Sequence, residues 1–580
     1  MLKKMRISTI VLLCIFLGVS LAATAVPAAP AKPGDRLTLA GAVKNLQGRG
    51  VKEVEVEVLV NGRHLKPEGQ EEEIVTGKSG SFLGEFILPP GSLPGAEVQV
   101  TAAKPSWRKI GPLPVKVVES GTDAEGNKLY QTTRSLTMYR AITPAFWISS
   151  IILLLVYVII AGEWMHRTLA ALLGAALIMF ISYTLGTFDK GYFILSFEDA
   201  MRAIDMNVIF LLMGMMIIVG VLKKTGLFQW LAYKSYALAR GNIFILSAIL
   251  MVVTAIASAF LDNVTTMLLM IPVTIEIAVT LKINPITFLI PEVFASNVGG
   301  TATLIGDPPN ILIGSYAKLT FAQFVGHLAI ICLICLVITL IYYVYWYKKD
   351  YLKAETRDVE RTIEYLREQY RITDVKLTAM SLGMLGFTIF LFVVHGVLHM
   401  EPSIAALTGA MVLLVISRVD IVEMLEHEVE WPTLIFFMAL FMVIAGAEET
   451  GLIQIIAEWV RDASGGNLTV AAVMILWVAA IASAFVDNIP FTATMLPIVA
   501  FLNQSMSVSN DVLWWSLALG ACLGGNGTMI GASANVVTVG LAEKAGYHIS
   551  FLHYIKVCFI PMLITVFLAM FYLLGFEMPK

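Results

Sequence analysis

Two patterns of hydrophobic and polar positions divide the chain. Over residues 33 to 138 apolar and polar residues alternate, as in Val54-Glu55-Val56-Glu57-Val58 and Val98-Gln99-Val100, with turn signals at Asn61-Gly62, Lys78-Ser79-Gly80 and Pro89-Pro90-Gly91. A period of two broken by such turns predicts a small antiparallel β-sandwich. From Thr143 onward long apolar runs follow one another: 143–162, 168–187, 207–222, 242–281, 286–315 and 322–347, then 376–398, 403–418, 432–447, 468–503, 511–541 and 552–575. Most are near the length of about 20 residues that spans a bilayer. Two runs in each half are irregular. Residues 242–281 and 468–503 are too long for one helix and carry Asp-Asn in the middle, whereas 286–315 and 511–541 are interrupted by Gly, Pro and Asn. The pattern predicts all-α membrane repeats over 143–347 and 376–575, each with a re-entrant hairpin and a broken helix, joined by a charged linker at 348–375.

The two halves are copies. Displacing the chain on itself by 225 residues aligns 207–310 with 432–535 without a gap, and ten of the twenty positions in 254–273 match 479–498. The shared string is Ser-Ala-Phe-x-Asp-Asn, at Ser258–Asn263 and Ser483–Asn488. A loop ten residues longer before Asn207 carries the match upstream, placing Gly174 on Gly409. The loop after the third run holds Lys223, Lys224, Lys234 and Arg240, but its mate holds Glu448, Glu449, Glu458 and Asp462 beside Arg461. Positive charge favours the cytoplasm, so the repeats are expected to be inverted. Inverted repeats whose broken helices meet near the midplane are an architecture of secondary transporters.

Composition agrees with a membrane protein: 57% of residues are hydrophobic and 14% charged, against about a quarter charged in soluble domains. A net charge of −3 provides no field for nucleic acid. The expected partners are the lipid bilayer and a small ion or anion, and nothing calls for a cofactor or a resident metal. Cys14, Cys332, Cys335, Cys522 and Cys558 lack metal-ligand spacing. Lys3, Lys4 and Arg6 precede an apolar stretch and the small-residue run Ala22–Pro27, which reads as a signal peptide over 1–26 or as an uncleaved first helix. Either reading places the β-sandwich outside a prokaryotic cytoplasmic membrane.

A polar tip at membrane depth is costly unless protein or a bound ion satisfies it. The first tip offers Ser258, Asp262, Asn263, Thr265 and Thr266, and the second Ser483, Asp487, Asn488, Thr492 and Thr494. These are hard oxygen ligands suited to a small cation or a proton. The same Asp-Asn pairs can cap the returning helices, a role compatible with ion binding. Facing them are the interrupted helices, with Gly299, Gly300, Thr303, Asp307 and Asn310 in one and Gly524, Gly525, Asn526, Thr528, Ser533 and Asn535 in the other. Glycines permit close approach, and broken helix ends aim free carbonyls or amides at the centre. Glu292, in the run leading to the first break, is the candidate proton carrier, and Glu276 suits a cytoplasmic vestibule. His327 and His395 are read as interfacial. No Lys or Arg occurs in 242–281, 283–315 or 467–542, so an anion would have to lean on helix ends or a co-bound cation.

The strings Ala259–Leu269 and Gly299–Asn310 resemble the arsenite-permease and sodium-proton-antiporter branch of the ion transporter superfamily, within it most nearly the melanosomal P protein and its prokaryotic relatives. The resemblance covers residues 143–575. It implies a scaffold and a transport domain, an elevator-like displacement and a homodimer. Dicarboxylate-transporting relatives carry Ser-Asn-Thr at the tips, where this chain has Asp262-Asn263-Val264 and Asp487-Asn488-Ile489. A carboxylate in that place favours cation/proton antiport, with sodium the expected cation. The alternative is a sodium- or proton-coupled carrier of arsenite, citrate or another small acid. An intramembrane aspartyl protease, which needs two aspartates sharing a proton, fits the symmetric tips poorly. The β-sandwich resembles prealbumin-like domains related to carboxypeptidase regulatory domains, through Gly41-Ala42-Val43, Gly80-Ser81-Phe82 and Leu88-Pro89-Pro90-Gly91. It holds no cluster arranged for chemistry.

Overall fold

The computed structural model describes residues 34–578 apart from 46–47, 49, 68–73, 78, 124–125, 355–358 and 509. The segment read as a signal peptide, with Cys14, lies outside them. The chain divides into two compact units, Met1–Tyr139 and Arg140–Lys580.

The first unit contains β1 (Asp35–Lys44), β2 (Glu55–Val60), β3 (Arg63–Leu65), β4 (Ile74–Val75), β5 (Ser81–Leu88), β6 (Val98–Ala103), β7 (Ile110–Pro114), β8 (Val118–Thr122) and β9 (Lys128–Thr137). One sheet runs β5-β1-β9-β8; the other runs β3-β2-β6-β7, with β4 paired to β2. Alternation buries Leu37 and Leu39 of β1, Val56 and Val58 of β2, and Phe82 and Phe86 of β5 between the sheets. Asn61 and Gly62, at φ 50° and 77°, make the tight turn between β2 and β3. The expectation of a wholly antiparallel sandwich needs one correction: β1 and β9 are parallel. The chain leaves β1 to build the other sheet and returns beside it in the same direction.

The second unit is helical and repeats itself element for element. Its first half contains α1 (Pro144–Ala161), α2 (Arg167–Tyr183), α3 (Met206–Lys223), α4 (Leu227–Ala239), α5 (Ile243–Phe260), α6 (Asn263–Thr280), α7 (Ile286–Thr301), α8 (Pro308–Ala317) and α9 (Phe321–Trp346). In the charged linker, α10 (Val359–Gln369) packs on α4. The second half contains α11 (Val375–Val394), α12 (Pro402–Ser417), α13 (Trp431–Thr450), α14 (Leu452–Ala463), α15 (Leu468–Phe485), α16 (Asn488–Ser505), α17 (Val512–Gly524), α18 (Ser533–Lys544) and α19 (Phe551–Tyr572). Among the described residues, 10 helices are long and apolar enough to cross a membrane. The unit has the make-up of a polytopic membrane protein.

Packing follows the repeat. Helix α5 packs on α7 and α15 on α17; α3 packs on α12 and α13 on α2; α6 packs on α18 and α16 on α8. Each hairpin starts at an asparagine cap: Asn242 accepts from the Phe244 and Ile245 amides, and Asn467 from those of Thr469 and Val470. The turns are equally alike. Leu261 (φ −128°, ψ 159°) and Val486 (φ −127°, ψ 142°) are extended, and the following aspartate caps the returning limb. Close approach of hairpin to broken helix is possible because Gly299 and Gly524 lack a Cβ, which would overlap the backbone of Ala255 and Ala480 respectively.

Candidate functional site

Both breaks are built alike. Helix α7 ends at Thr301 and α8 starts at Pro308, while α17 ends at Gly524 and α18 starts at Ser533. Thr303 Oγ1 donates to the Ala259 carbonyl at 2.5 Å, and Thr528 Oγ1 to that of Ala484. Asn310 Nδ2 donates to the carbonyls of Thr301 at 3.0 Å and Thr303 at 2.8 Å; Asn535 Nδ2 donates to those of Gly525 at 2.8 Å and Thr528 at 2.9 Å. These bonds take up carbonyls that the interruption deprives of helical donors. Gly300, Gly306 and Gly525 lie where the unwound strands touch backbone to backbone.

The breaks join across the pseudo-symmetry through Asn297. Its Nδ2 donates to Asn526 Oδ1 at 3.0 Å and Asn535 Oδ1 at 2.9 Å, and its Oδ1 accepts from Asn263 Nδ2 at 3.1 Å. Ser296 Oγ donates to Ser258 Oγ at 3.0 Å. Across the centre, Asn488 Nδ2 stands 3.4 Å from both oxygens of the fully buried Asp307. Four buried polar atoms here have no hydrogen-bond partner: Thr266 Oγ1, Ser483 Oγ, Thr492 Oγ1 and Asn526 Nδ2. Leaving one such group unsatisfied costs about 1–3 kcal/mol.

The aspartate tips differ in their partners. Asp262 accepts from the Thr265 amide and hydroxyl, both at 3.0 Å, which uses it as a cap. Asp487 accepts from the Ile489 amide at 3.0 Å and from Ser533 Oγ at 3.0 Å, and pairs with Arg167 at 3.2 Å. The runs that hold no basic residue to meet an anion, 242–281, 283–315 and 467–542, do not include this arginine. A guanidinium reaches the second tip from the first turn of α2, outside the runs that form the hairpins and breaks. Tyr157 of α1 also escaped the sequence reading; its hydroxyl bonds the Pro490 carbonyl at 2.7 Å and meets Thr494 Oγ1.

A cleft of 490 Å³ lies beside the second tip, between the α1–α2 corner, Val264 and Leu268 of α6, Glu430, and residues 530–537; Glu163, His166, Arg167 and Asp487 line it. In the corresponding region a smaller pocket of 260 Å³, lined by His395, Gly396, Met400, Glu401 and Pro402 at the α11–α12 corner, does not reach Asp262, and a run of hydrogen bonds lies beside it. Ser315 Oγ donates to Asp205 Oδ2 at 2.5 Å, Asn207 Nδ2 to Ser315 Oγ at 2.9 Å, and the Ser403 amide to Asn207 Oδ1 at 3.0 Å.

Glu292 is buried on α7 and takes hydrogen bonds from Thr274 Oγ1 at 3.0 and 3.1 Å. It sits apart from the Asn297 network, more than a turn earlier on the same helix. His395 is buried at the C-terminal end of α11, where its Nε2 accepts from the Phe321 amide at 3.3 Å. His327 pairs with Glu577 at 2.7 Å and stacks on Trp515.

Residues 157–520 match the family model described as citrate transporter. The chain is 41% identical over 419 residues to an uncharacterized transporter of Mycobacterium tuberculosis, covering 72% of this chain and 95% of that protein. It is 38% identical over 427 residues to the 46 kDa membrane protein of Mycobacterium leprae, covering 73% of this chain and 96% of that one. With the P protein of Homo sapiens it shares 36% identity over 503 residues, or 74% of this chain and 59% of the human protein.

Proposed function

The chain belongs to the citrate transporter family, and from that premise we propose that it exchanges sodium for protons across a cytoplasmic membrane by alternating access. The observation that carries this reading is Asp307. Its carboxylate is 1% exposed, faces Asn488 Nδ2 at 3.4 Å, and is paired with no basic side chain among the described residues. A buried carboxylate without a countercharge is strongly destabilising. A proton or a small cation relieves that cost, and competition between the two at one centre is the chemistry of antiport. Asp262 and Asp487 flank it from the tips, and the unpartnered Thr266, Ser483 and Thr492 hydroxyls supply neutral oxygen ligands. Glu292 is the second proton acceptor in this scheme.

The cleft beside Asp487 and the clasp at Ser315 fit one end state of such a cycle, open on one face and shut on the other. Lys223 pairs with Glu428 near the cleft, and the positively charged loop beginning there supports a cytoplasmic opening.

A second reading, a carrier of a small anion coupled to sodium or protons, is favoured by Arg167, whose guanidinium lines the cleft. One experiment separates the two. In everted vesicles holding a pH gradient, a dye reports proton movement as sodium, lithium or potassium is added, and labelled citrate and arsenite uptake is followed in parallel. Cation-triggered proton movement that disappears in Asp307→Asn is the expected result. Anion uptake with no response to cations overturns antiport.

A further inference from the structure

We propose that Arg167 is a tethered cation that competes with the transported cation for Asp487, making the two aspartate tips unequal; this rests on the antiport reading above. The guanidinium is held at one point from several directions. Nη1 donates to Asp487 Oδ2 at 3.2 Å and to Ser533 Oγ at 2.5 Å, and Nη2 donates to Thr433 Oγ1 at 3.3 Å. Its Cζ lies 5.4 Å from the centroid of the Phe436 ring. A planar guanidinium suits such a forked and stacked setting better than an ammonium. The Arg167 and Asp487 side chains are 26% and 12% exposed, so water screens the attraction only in part.

Among the described residues the first tip has no equivalent. Carrying the Gly174/Gly409 register back along α2 and α12 sets Pro402 opposite Arg167. Both residues open their helices, after His166 and Glu401 respectively, so the structural mates agree with the sequence register. The face that Pro402 occupies can therefore offer Asp262 no cation of the protein's own from this position.

A cation entering through the cleft meets Glu163 and Glu430 on its walls and then a second tip whose charge is already balanced. To use Asp487 it must displace the guanidinium. Movement of the tip away from α2 separates the ion pair and leaves Asp487 free to take a cation or proton on the other side. Arg167 thus lowers apparent affinity on the cleft face and ties release of the solute to return of the tip.

The test uses the full-length protein in the dye assay, with the variants R167Q and R167K compared at equal membrane insertion. R167Q removes the competitor, and the sodium concentration for half-maximal response is expected to fall about tenfold while the maximal rate drops. R167K keeps the charge but loses the fork, and the expected fall is about threefold. A merely structural arginine predicts a lower rate with no gain in affinity, which overturns the proposal. Should R167Q not insert, R167K decides alone: a fall in half-saturation supports the tether, and an unchanged value overturns it. A wild type silent to cations overturns antiport and this proposal together; a responsive wild type beside unimproved variants overturns the proposal alone. Labelled-anion uptake abolished in R167Q makes Arg167 a substrate ligand and likewise overturns it.

Discussion

On one face of the membrane unit, Asp205, Asn207, Ser315 and Ser403 form a continuous polar clasp between α3, α8 and α12. On the other, the positions in register with them are Glu430, Pro432, Gly540 and Thr168, and of these Glu430 lines the cleft that reaches Asp487. The differences are small in chemical terms. Ser315 supplies the hydroxyl that both Asp205 and Asn207 hold, whereas a Cβ at Gly540 would meet nothing. Pro432 has no amide side chain; its carbonyl accepts from Thr168 Oγ1 at 2.7 Å. Hydrogen bonds of this kind contribute about 0.5–1.5 kcal/mol each, so a clasp of a few is on the scale that sets populations of two conformations. Halves built from the same order of elements thus differ at their two faces through a few side chains.

The sharpest way to break the comparison is at the tips. Asp262→Asn keeps a residue that caps α6 well but removes the charge, and proton movement in the vesicle assay is expected to fall to background. Asp487→Asn is expected to retain a measurable response, because Arg167 already neutralises that carboxylate; equal losses in the two variants would show the tips to be equivalent. Next in size are the glycines. Gly299→Ala and Gly524→Ala each drive a methyl into backbone and should cost about 1–3 kcal/mol, read as a lower thermal midpoint in detergent. Gly540→Ala, facing open space in α18, should instead gain up to about 1 kcal/mol from helix propensity. A loss at Gly540 as large as the other two would mean that the cleft face closes in the detergent-solubilised protein.

A smaller effect is expected at the clasp. Ser315→Ala removes the shared hydroxyl, and a cysteine introduced at Ser403 should then react several-fold faster with a membrane-impermeant thiol reagent. No change in labelling would remove Ser315 as a determinant of the closed face. The smallest effect concerns the other unit. Deleting residues 34–139 should leave sodium half-saturation within about twofold, since that unit carries its own core. A correctly inserted deletion variant without transport would assign the β-rich unit a part in the cycle.

Much of this arrangement was legible in the chain because the hairpins and breaks are local. Asp-Asn after an apolar run predicts a turn and a cap, and both form at Asp262 and Asp487. Repetition of Gly299-Gly300 as Gly524-Gly525 anticipated two similar breaks. Arg167 is not legible in the same way, because its partner lies 320 residues away and the arginine itself lies outside the polar runs. The available signal was its lack of symmetry: an arginine opening one apolar run whose mate is Pro402. Asn297 lies two residues before the Gly299-Gly300 pair and carries no local signal of its own. Its role as the bridge depends on which helices face each other, and that comes from packing rather than from any window of sequence. The parallel pairing of β1 with β9 is non-local in the same way.

The bridge also bears on ancestry. Asn297 and Asp307 belong to the first half, but the register pairs them with Cys522 and Ala532, which cannot take their places. Asn526, which accepts from Asn297, is matched in the first half by Thr301. Two copies of the second half would lack Asn297 and Asp307, and two copies of the first half would keep these but lack Asn526, so neither like pair, assembled as an ancestral pair of separate chains would have been, reproduces the network that crosses this centre. At this centre the halves are complements rather than equals. Co-expression of severed halves should consequently restore transport only for the unlike pair.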